Sequence, residues 1–231
     1  EVPAQDYDIV VFENKFPSFR RQPPAPAIEG DELNPVAPAS GICEVVLYSP
    51  EHKGSLATSP LSRLRRLVRV WTDRYRELGS RPFINYVLIF ENKGDVIGVT
   101  LEHPHGQIYG FPFIPPRPGV ELEAAGEYWQ EKGRCLFCDL LARDLADGRR
   151  IVAESDEFVA LMPFAARYPY EVHILPRRHL GSLVELLTSE SDGLAAMLKL
   201  VTQKYDHLFG FPLPYMMIMH QTPTDGREYP G

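Results

Sequence analysis

The segment Glu44-Val-Val-Leu-Tyr-Ser-Pro-Glu-His52 recurs in altered form as Glu171-Val-His-Ile-Leu-Pro-Arg-Arg-His179. Each copy joins a glutamate to a histidine eight positions later through a short apolar run that is typical of a β-strand. A helical pattern and then a second apolar strand, at 84–90 or 215–219, follow each copy. The repeat predicts a duplicated strand–helix–strand unit. In this register the counterpart of 103–107 falls near residue 230 or beyond, so we expect the second unit to be incomplete.

Two long amphipathic patterns predict the helices of this repeat. The first has Ser59 as its N-cap, followed by a proline and an apolar stripe that runs from Leu61 to Leu78. The second has Ser189 and Asp192 placed as a capping box. The remaining predictions are strands at 44–48, 84–90, 107–113, 158–162 and 171–175, the second helix at 189–209, and a long proline-rich surface loop from Pro17 to Ser40.

The composition is that of an ordinary globular protein, with 44% hydrophobic and 24% charged residues among 231. No run reaches the ~20 apolar residues of a membrane span, and no signal-peptide pattern is present. We therefore expect a cytoplasmic protein without a membrane partner. The net charge of -7 is spread along the chain, which disfavours nucleic acid as a partner but permits a local pocket for a small anion. Three cysteines are too few for a disulfide framework.

The densest chemical pattern is Glu102-His-Pro-His-Gly-Gln107. The proline favours extended geometry, and alternate strand positions share a face, so His103, His105 and Gln107 are predicted to converge. Gly106 removes a side chain beside them, which lets a phosphate approach the backbone. A neutral imidazole is a good nucleophile towards phosphorus when its Nδ1–H is held by an acceptor, such as the carbonyl of His103. The same pattern fits histidines that are structural or only bind a metal, and spacing alone does not decide.

Three further segments accompany this pattern. They are Phe90-Glu-Asn-Lys-Gly94, Val11-Phe-Glu-Asn-Lys-Phe-Pro17 and Tyr48-Ser-Pro-Glu-His52. Together with the histidine pattern they resemble the signature of the galactose-1-phosphate uridylyltransferases in the histidine-triad superfamily, and the resemblance covers nearly the whole chain. It implies an α+β fold of duplicated histidine-triad-like units, with an antiparallel half-barrel sheet and helices packed outside. We expect 1–133 to carry the nucleophile and 134–231 to form the second, incomplete unit.

The resemblance also implies a nucleotidyltransferase with His105 as its nucleophile. In such an enzyme the histidine takes a uridylyl group from UDP-glucose and releases glucose 1-phosphate. It then passes the group to galactose 1-phosphate in a ping-pong cycle. The residues that match substrate-binding positions of the family are Gln107, Thr100, Asn92, Asn14 and Phe12.

Zinc is the cofactor that the resemblance implies first. His52 and His103 match two ligands of a structural zinc in the family, whose other two ligands are an N-terminal cysteine pair. No such pair precedes Phe12 in this sequence. Structural zinc prefers four nitrogen and sulfur ligands, so these two histidines complete a site only with ligands from elsewhere.

Two other sets of residues match metal positions. Cys135 and Cys138 resemble a second zinc-binding pair found in some members, with His179 as a third ligand. The Cys-x-x-Cys spacing by itself also fits a redox pair. Glu121 and His220 match two ligands of a second metal, such as iron, although both residues also fit purely local or solvent-facing roles.

The family builds its active site with residues from a second subunit, which implies a homodimer or pairing with a separate C-terminal fragment. Two other functions remain open. One is an adenylyl-sugar or dinucleotide phosphorylase of the same superfamily, which would keep the nucleophile and change the base pocket around Phe12 and Asn14. The other is an inactive fragment that acts as a partner subunit.

Overall fold

The structure of the protein, a computed structural model, describes residues 7–99 and 103–230. Within these residues two short 3-10 turns accompany the strands and helices. The elements are β1 (Val10–Glu13), β2 (Ile42–Leu47), α1 (Leu61–Gly79), β3 (Tyr86–Lys93), β4 (His105–Phe111), α2 (Pro116–Lys132), α3 (Leu136–Asp147), β5 (Ile151–Glu154), β6 (Phe158–Leu161), β7 (His173–Pro176), α4 (Thr188–Leu208) and β8 (Tyr215–Met219).

Two antiparallel sheets organise the fold. The larger sheet has the strand order β1-β2-β4-β3-β8, and the smaller one has the order β5-β6-β7. Every neighbouring pair in both sheets is antiparallel. The prediction of an α+β fold with antiparallel sheets is therefore confirmed. Because β8 pairs with β3, strands from both halves of the chain share one sheet, and the division into 1–133 and 134–231 stays a prediction.

The hydrophobic core lies between the larger sheet and the helices α1 and α4. The stripe of α1 that the sequence predicts is buried, including Leu64, Trp71 and Leu78. It packs in one cluster with strand residues such as Ile108 and with Leu198 of α4. Burying one large apolar side chain contributes about 1.5–3 kcal/mol, so this stripe is a main source of the stability of the fold.

The opposite face of the larger sheet carries partly buried and exposed side chains. Paired positions run across it from Phe12 through Val45, Gln107 and Phe90 to Ile218. Side chains alternate along a strand, so these five share the face away from the core. Phe12 is 38% exposed and Ile218 is 45% exposed. This open face is where a ligand can reach the strands.

The proline-rich segment after β1 forms a loop, as predicted. An isolated bridge between Arg20 and Ser40 joins the two ends of this loop to each other. The ring of Phe19 packs edge-on against Tyr109 and Phe111 of β4. The loop is therefore attached to the sheet through its first part, beside the open face.

Both predicted helix caps are wrong. No side chain caps α1, and the hydroxyl of Ser59 donates to the carbonyl of Ser55 instead. The second long helix begins at Thr188, where the carboxylate of Glu190 accepts from the N–H of Leu187. Pairing with Arg178 lowers the pKa of Glu190 to about 2. A charged acceptor that also binds an arginine is a stronger cap than the hydroxyl of a serine.

The helices α2 and α3 were not predicted from the sequence. Among the residues of α2, only Pro118 and Ala125 are buried, so the helix has no continuous apolar stripe. Its signals are a proline in the first turn and Gly133 at its end, where φ is 63°. None of the helices in the described ranges is long and apolar enough to cross a membrane.

We expect the ion pair between Arg74 of α1 and Glu44 of β2 to be essential to the packing of α1. Glu44 is 5% exposed and accepts two hydrogen bonds from Arg74, at 2.8 and 2.6 Å. Replacing Arg74→Met leaves a buried carboxylate without its partner and should lower the free energy of unfolding by roughly 2–4 kcal/mol. Urea unfolding at pH 7 measures the change.

Arg76→Met, on the exposed side of the same helix, is the matched control and should change stability little. Adding Glu44→Gln to Arg74→Met should restore much of the loss, because the orphaned charge is removed. Equal unfolding midpoints for the two single arginine variants would contradict this account.

Candidate active site and metal ligands

His105 is the first residue of β4, and its imidazole orientation is set by one backbone group. Its Nδ1 lies 2.9 Å from the carbonyl oxygen of His103. A carbonyl only accepts, so Nδ1 carries the proton and Nε2 keeps its lone pair. The ring is partly buried on the open face of the sheet. This geometry leaves one imidazole nitrogen available for a reaction with a ligand.

Gly106 and Gln107 follow on the same strand. A Cβ atom at Gly106 would lie 3.3 Å from the carbonyl oxygen of Phe90, so a side chain there would crowd β3. The amide oxygen of Gln107 accepts a long hydrogen bond, 3.5 Å, from Asn14. Because the amide oxygen contacts Asn14, the NH₂ group of Gln107 is the part of the side chain that can donate to a ligand on the open face.

The other substrate-binding residues expected from the sequence are spread along the same face. Phe12 lies on the edge strand β1, and Asn92 is partly buried on β3 opposite Met216. The sheet therefore brings Phe12, Asn14, Asn92 and Gln107 to the side of His105. Thr100 lies outside the described residues.

His103 is placed differently from the sequence prediction. The strand begins at His105, so His103 precedes it, and its ring is buried rather than exposed beside His105. Its Nδ1 lies 3.0 Å from Nδ1 of His52, and the two rings meet edge to face. Its Nε2 lies 2.7 Å from the carbonyl oxygen of Ser49. In the neutral ring Nε2 therefore carries the proton, and Nδ1 offers a lone pair towards His52, as a metal ligand does.

Cys135, Cys138 and His179 form a cluster that could hold a metal ion. Their ligand atoms all lie within 4.8 Å of one another. Cys135 caps the first turn of α3, where its Sγ accepts from the N–H of Cys138. Sγ of Cys138 lies 3.3 Å from Nδ1 of His179. Burial raises the pKa of Cys138 to about 11, so a metal must displace its proton to bind the thiolate.

Glu121 of α2 and His220, 99 positions apart, lie within hydrogen-bonding distance of each other. Burial works against ionisation of Glu121, but hydrogen bonding to His220 and to Arg117 outweighs it and lowers the pKa of Glu121. The pair offers two possible metal ligands. In the described ranges it does not belong to a cluster of three.

Sequence reasoning missed one buried polar cluster beside the site. Glu91 of β3 is 3% exposed, and its Oε1 accepts from the hydroxyls of Tyr48 at 3.0 Å and Tyr215 at 2.7 Å. Its other oxygen has no hydrogen-bond partner in the described structure. Burial raises the pKa of Glu91 to about 7. The available signal was a glutamate directly after the apolar run of β3, at the core-facing position two residues beyond Ile89.

Comparison with known proteins identifies two matching family segments. Residues 1–115 match the family described as galactose-1-phosphate uridyl transferase, N-terminal domain. Residues 121–229 match galactose-1-phosphate uridyl transferase, C-terminal domain. A galactose-1-phosphate uridylyltransferase from Thermotoga maritima is 43% identical over 230 residues, which are 99% of this chain and 71% of that relative.

Two solved structures are also similar. One, described as a uridylyltransferase, has a TM-score of 0.89 at 36% identity, and the match covers 94% of this chain and 69% of that one. An ADP-glucose phosphorylase from Arabidopsis thaliana, solved with bound ADP-glucose, has a TM-score of 0.82 at 26% identity over 99% of this chain and 71% of that one. The chain spans 71% of the length of the Thermotoga maritima relative and 56% of the length of a galactose-1-phosphate uridylyltransferase from Rattus norvegicus, to which it is 32% identical.

The raised pKa of Glu91 predicts a pH dependence of stability. Since its ordinary value is 4.5 and its folded value is about 7, the folded state holds this proton more tightly than the unfolded state. The stability associated with neutral Glu91 is present below about pH 4.5 and is lost as the pH rises to about 7. The loss should amount to roughly 2–3 kcal/mol.

Glu91→Gln remains neutral and should lack this loss, so its unfolding free energy should fall less than that of the wild type across the window. Glu123→Gln, on the exposed side of α2, serves as the control. Chemical unfolding at a series of pH values gives the three curves. Parallel curves for Glu91→Gln and the wild type would show that Glu91 does not bind its proton more tightly in the folded state.

Proposed function

Since this chain belongs to the galactose-1-phosphate uridyl transferase family, we propose that it carries out nucleotidyl transfer through a covalent adduct on His105. The donor is UDP-glucose and the acceptor is galactose 1-phosphate. The observation that supports this most is the 2.9 Å contact between Nδ1 of His105 and the carbonyl of His103. It leaves Nε2 unprotonated on the open face, as a nucleophile towards phosphorus requires.

In the first half-reaction Nε2 of His105 attacks the α-phosphorus of UDP-glucose. The bond from that phosphorus to the bridging oxygen breaks, and glucose 1-phosphate leaves with the electron pair. The ring becomes positively charged in the adduct. Its Nδ1–H continues to donate to the carbonyl of His103, and this stabilises the charge without a carboxylate.

In the second half-reaction a phosphate oxygen of galactose 1-phosphate attacks the same phosphorus. The bond from phosphorus to Nε2 breaks, UDP-galactose forms, and neutral His105 is restored. The amide of Gln107 donates to a phosphoryl oxygen in both steps, and Gly106 lets the phosphate approach the strand. Loss of one such donor costs on the order of a hundredfold in rate. Asn14, Asn92 and Phe12 are proposed to hold the uridine and phosphate end.

We propose that Cys135, Cys138 and His179 bind zinc, since two sulfurs and one imidazole are the ligand types that zinc prefers. Bound zinc would supply a structural cross-link between the start of α3 and the segment after β7. His52 and His103 would contribute two ligands to another zinc, and Glu121 and His220 two ligands to a second metal such as iron. In this proposal no metal takes part in the transfer step.

The proposed partner is a second chain, either another copy or a separate C-terminal fragment. Apolar side chains on the open face support it, because Met216 is 58% exposed and Ile218 is 45% exposed beside the proposed substrate residues. A partner that covers these positions would also exclude water from the reacting phosphate.

A second candidate is adenylyl transfer. It rests on the similarity to the ADP-glucose phosphorylase, which bound ADP-glucose in its solved structure. The same nucleophile and the same adduct chemistry would serve, and the base would differ. The mass of the adduct distinguishes the two candidates directly.

The central prediction is that brief incubation with UDP-glucose adds one uridylyl group to the intact chain. His105→Asn should abolish the gain in mass, because an amide is not a nucleophile that forms this adduct. His207→Asn, an exposed histidine on α4, is the control and should keep it. Intact-mass spectrometry measures the adduct, with ADP-glucose as a parallel donor.

A gain of mass with ADP-glucose but not with UDP-glucose would show that the chain transfers an adenylyl group and not a uridylyl group. An unchanged mass with either donor, in a folded sample that sediments as a monomer, would indicate a chain that requires its partner. An adduct that persists in His105→Asn would exclude His105 as the nucleophile.

The zinc site predicts that Co²⁺, used as a spectroscopic substitute, will produce thiolate charge-transfer absorption that Zn²⁺ then removes. Cys138→Ser should weaken Co²⁺ binding by at least roughly 100-fold, since a thiolate ligand is lost. Cys43→Ala is the control, because Cys43 is buried in β2 and lies outside the cluster. Equal titrations of Cys138→Ser and the wild type would contradict this site.

A further inference from the structure

The carbonyl of Ser49 contacts both His103 and Tyr7. Ser49 is 3% exposed and follows the end of β2. Its carbonyl oxygen lies 2.7 Å from Nε2 of His103 and accepts a hydrogen bond of 2.9 Å from the hydroxyl of Tyr7. The oxygen of Tyr7 also lies 3.0 Å from Nε2 of His103. These three groups form one closed set of hydrogen bonds.

This set determines the tautomer of His103. The carbonyl of Ser49 only accepts, so the proton of the neutral ring belongs on Nε2, and the lone pair of Nδ1 faces His52. The ring is thereby held in one orientation. The carbonyl of the same residue, His103, accepts from Nδ1 of His105. One residue therefore connects the Ser49 carbonyl to the proposed nucleophile.

Ser49 is also held from the side of the core. The preceding residue, Tyr48, is 1% exposed, and its hydroxyl donates to Oε1 of Glu91 at 3.0 Å. Burial, and then the charge of Glu91, raise the pKa of Tyr48 well above its ordinary range. The hydroxyl of Tyr48 thus keeps its proton and remains a donor to Glu91 at neutral pH.

We propose that Tyr7 and Tyr48 are positioning residues for the transfer, which hold the Ser49 carbonyl so that His103 and His105 keep their tautomers and orientation. The inference rests on the proposed function of His105. The hydroxyl of Tyr7 contacts Ser49 and His103, and the hydroxyl of Tyr48 contacts Glu91. Both residues act on the reaction through the position of Ser49 and the ring of His103.

Tyr215 provides a matched control. Its hydroxyl donates to the same Oε1 of Glu91, at 2.7 Å, from the far side on β8. Tyr215→Phe therefore removes a buried hydrogen bond from a hydroxyl to the carboxyl of Glu91, as Tyr48→Phe does. Unlike Tyr48, Tyr215 is not adjacent to Ser49 in the chain. Loss of stability should be similar in the two variants, whereas a change at the histidines should follow only from Tyr48→Phe.

The first experiment measures the rate of uridylyl adduct formation in single turnovers with UDP-glucose, in the 231-residue chain. We expect Tyr7→Phe and Tyr48→Phe to slow the step at saturating donor by roughly tenfold or more, because a small misplacement of a nucleophile is costly. Half-saturation by UDP-glucose should change little. Tyr215→Phe should react at a rate close to that of the wild type.

The second experiment does not require activity. Long-range ¹H–¹⁵N NMR of the imidazoles, assigned with His103→Asn and His105→Asn, should show Nε2–H at His103 and Nδ1–H at His105 in the wild type. Tyr7→Phe and Tyr48→Phe should give mixed tautomers at His103, and Tyr215→Phe should not.

The two readouts separate the two proposals. A wild type that forms no adduct, together with these tautomer changes in Tyr7→Phe and Tyr48→Phe, would support the positioning set and show that the chain alone does not carry out the proposed transfer. Adduct rates and tautomers of Tyr7→Phe and Tyr48→Phe equal to those of Tyr215→Phe would overturn the positioning inference.

Discussion

The antiparallel register of β4 between β2 and β3 is the constraint on which the rest of the structure depends. Side chains alternate along β4, so Ile108 is fully buried against the helices while His105 and Gln107 face away from them. A slip of one residue would place an imidazole and an amide in the apolar core and expose Ile108. The packing of α1 on the sheet therefore determines the site as well as the core.

The buried face of the same sheet contains two acids, and each is stabilised in a different way. Glu44 is paired with Arg74, so it can remain charged next to the helix. Glu91 accepts from two tyrosine hydroxyls and has no cationic partner among its hydrogen bonds, so burial favours its neutral form. Glu91 and its two tyrosine partners lie beside the end of β2, where the chain continues to Ser49, whose carbonyl contacts His103. The core and the site are thus linked by hydrogen bonds and not only by packing.

The parts of the fold that could be predicted are those with strong local periodicity. The apolar stripe of α1 has a period that neighbouring residues alone establish, and its burial agrees with the prediction. α2 has no such stripe, so its helical character is visible only from its end residues. The predicted helix caps were wrong because any of several serines and acidic residues near the start of a helix can act as its N-cap. Glu190 caps α4 because its carboxylate also binds Arg178, a residue that lies before this helix in the sequence.

The sequence by itself determined the α+β class, the alternating strand that places His105 with Gln107, and the membership of the chain in its family. These follow from backbone sterics, side-chain alternation and motifs whose residues are near one another. Only the tertiary structure decided which distant groups meet, and the burial and orientation of those groups. The contact of Cys138 with His179 joins positions 41 apart, that of Ser49 with His103 joins positions 54 apart, and that of Glu121 with His220 joins positions 99 apart. Such contacts depend on how helices and loops pack on the sheets, which no local pattern specifies.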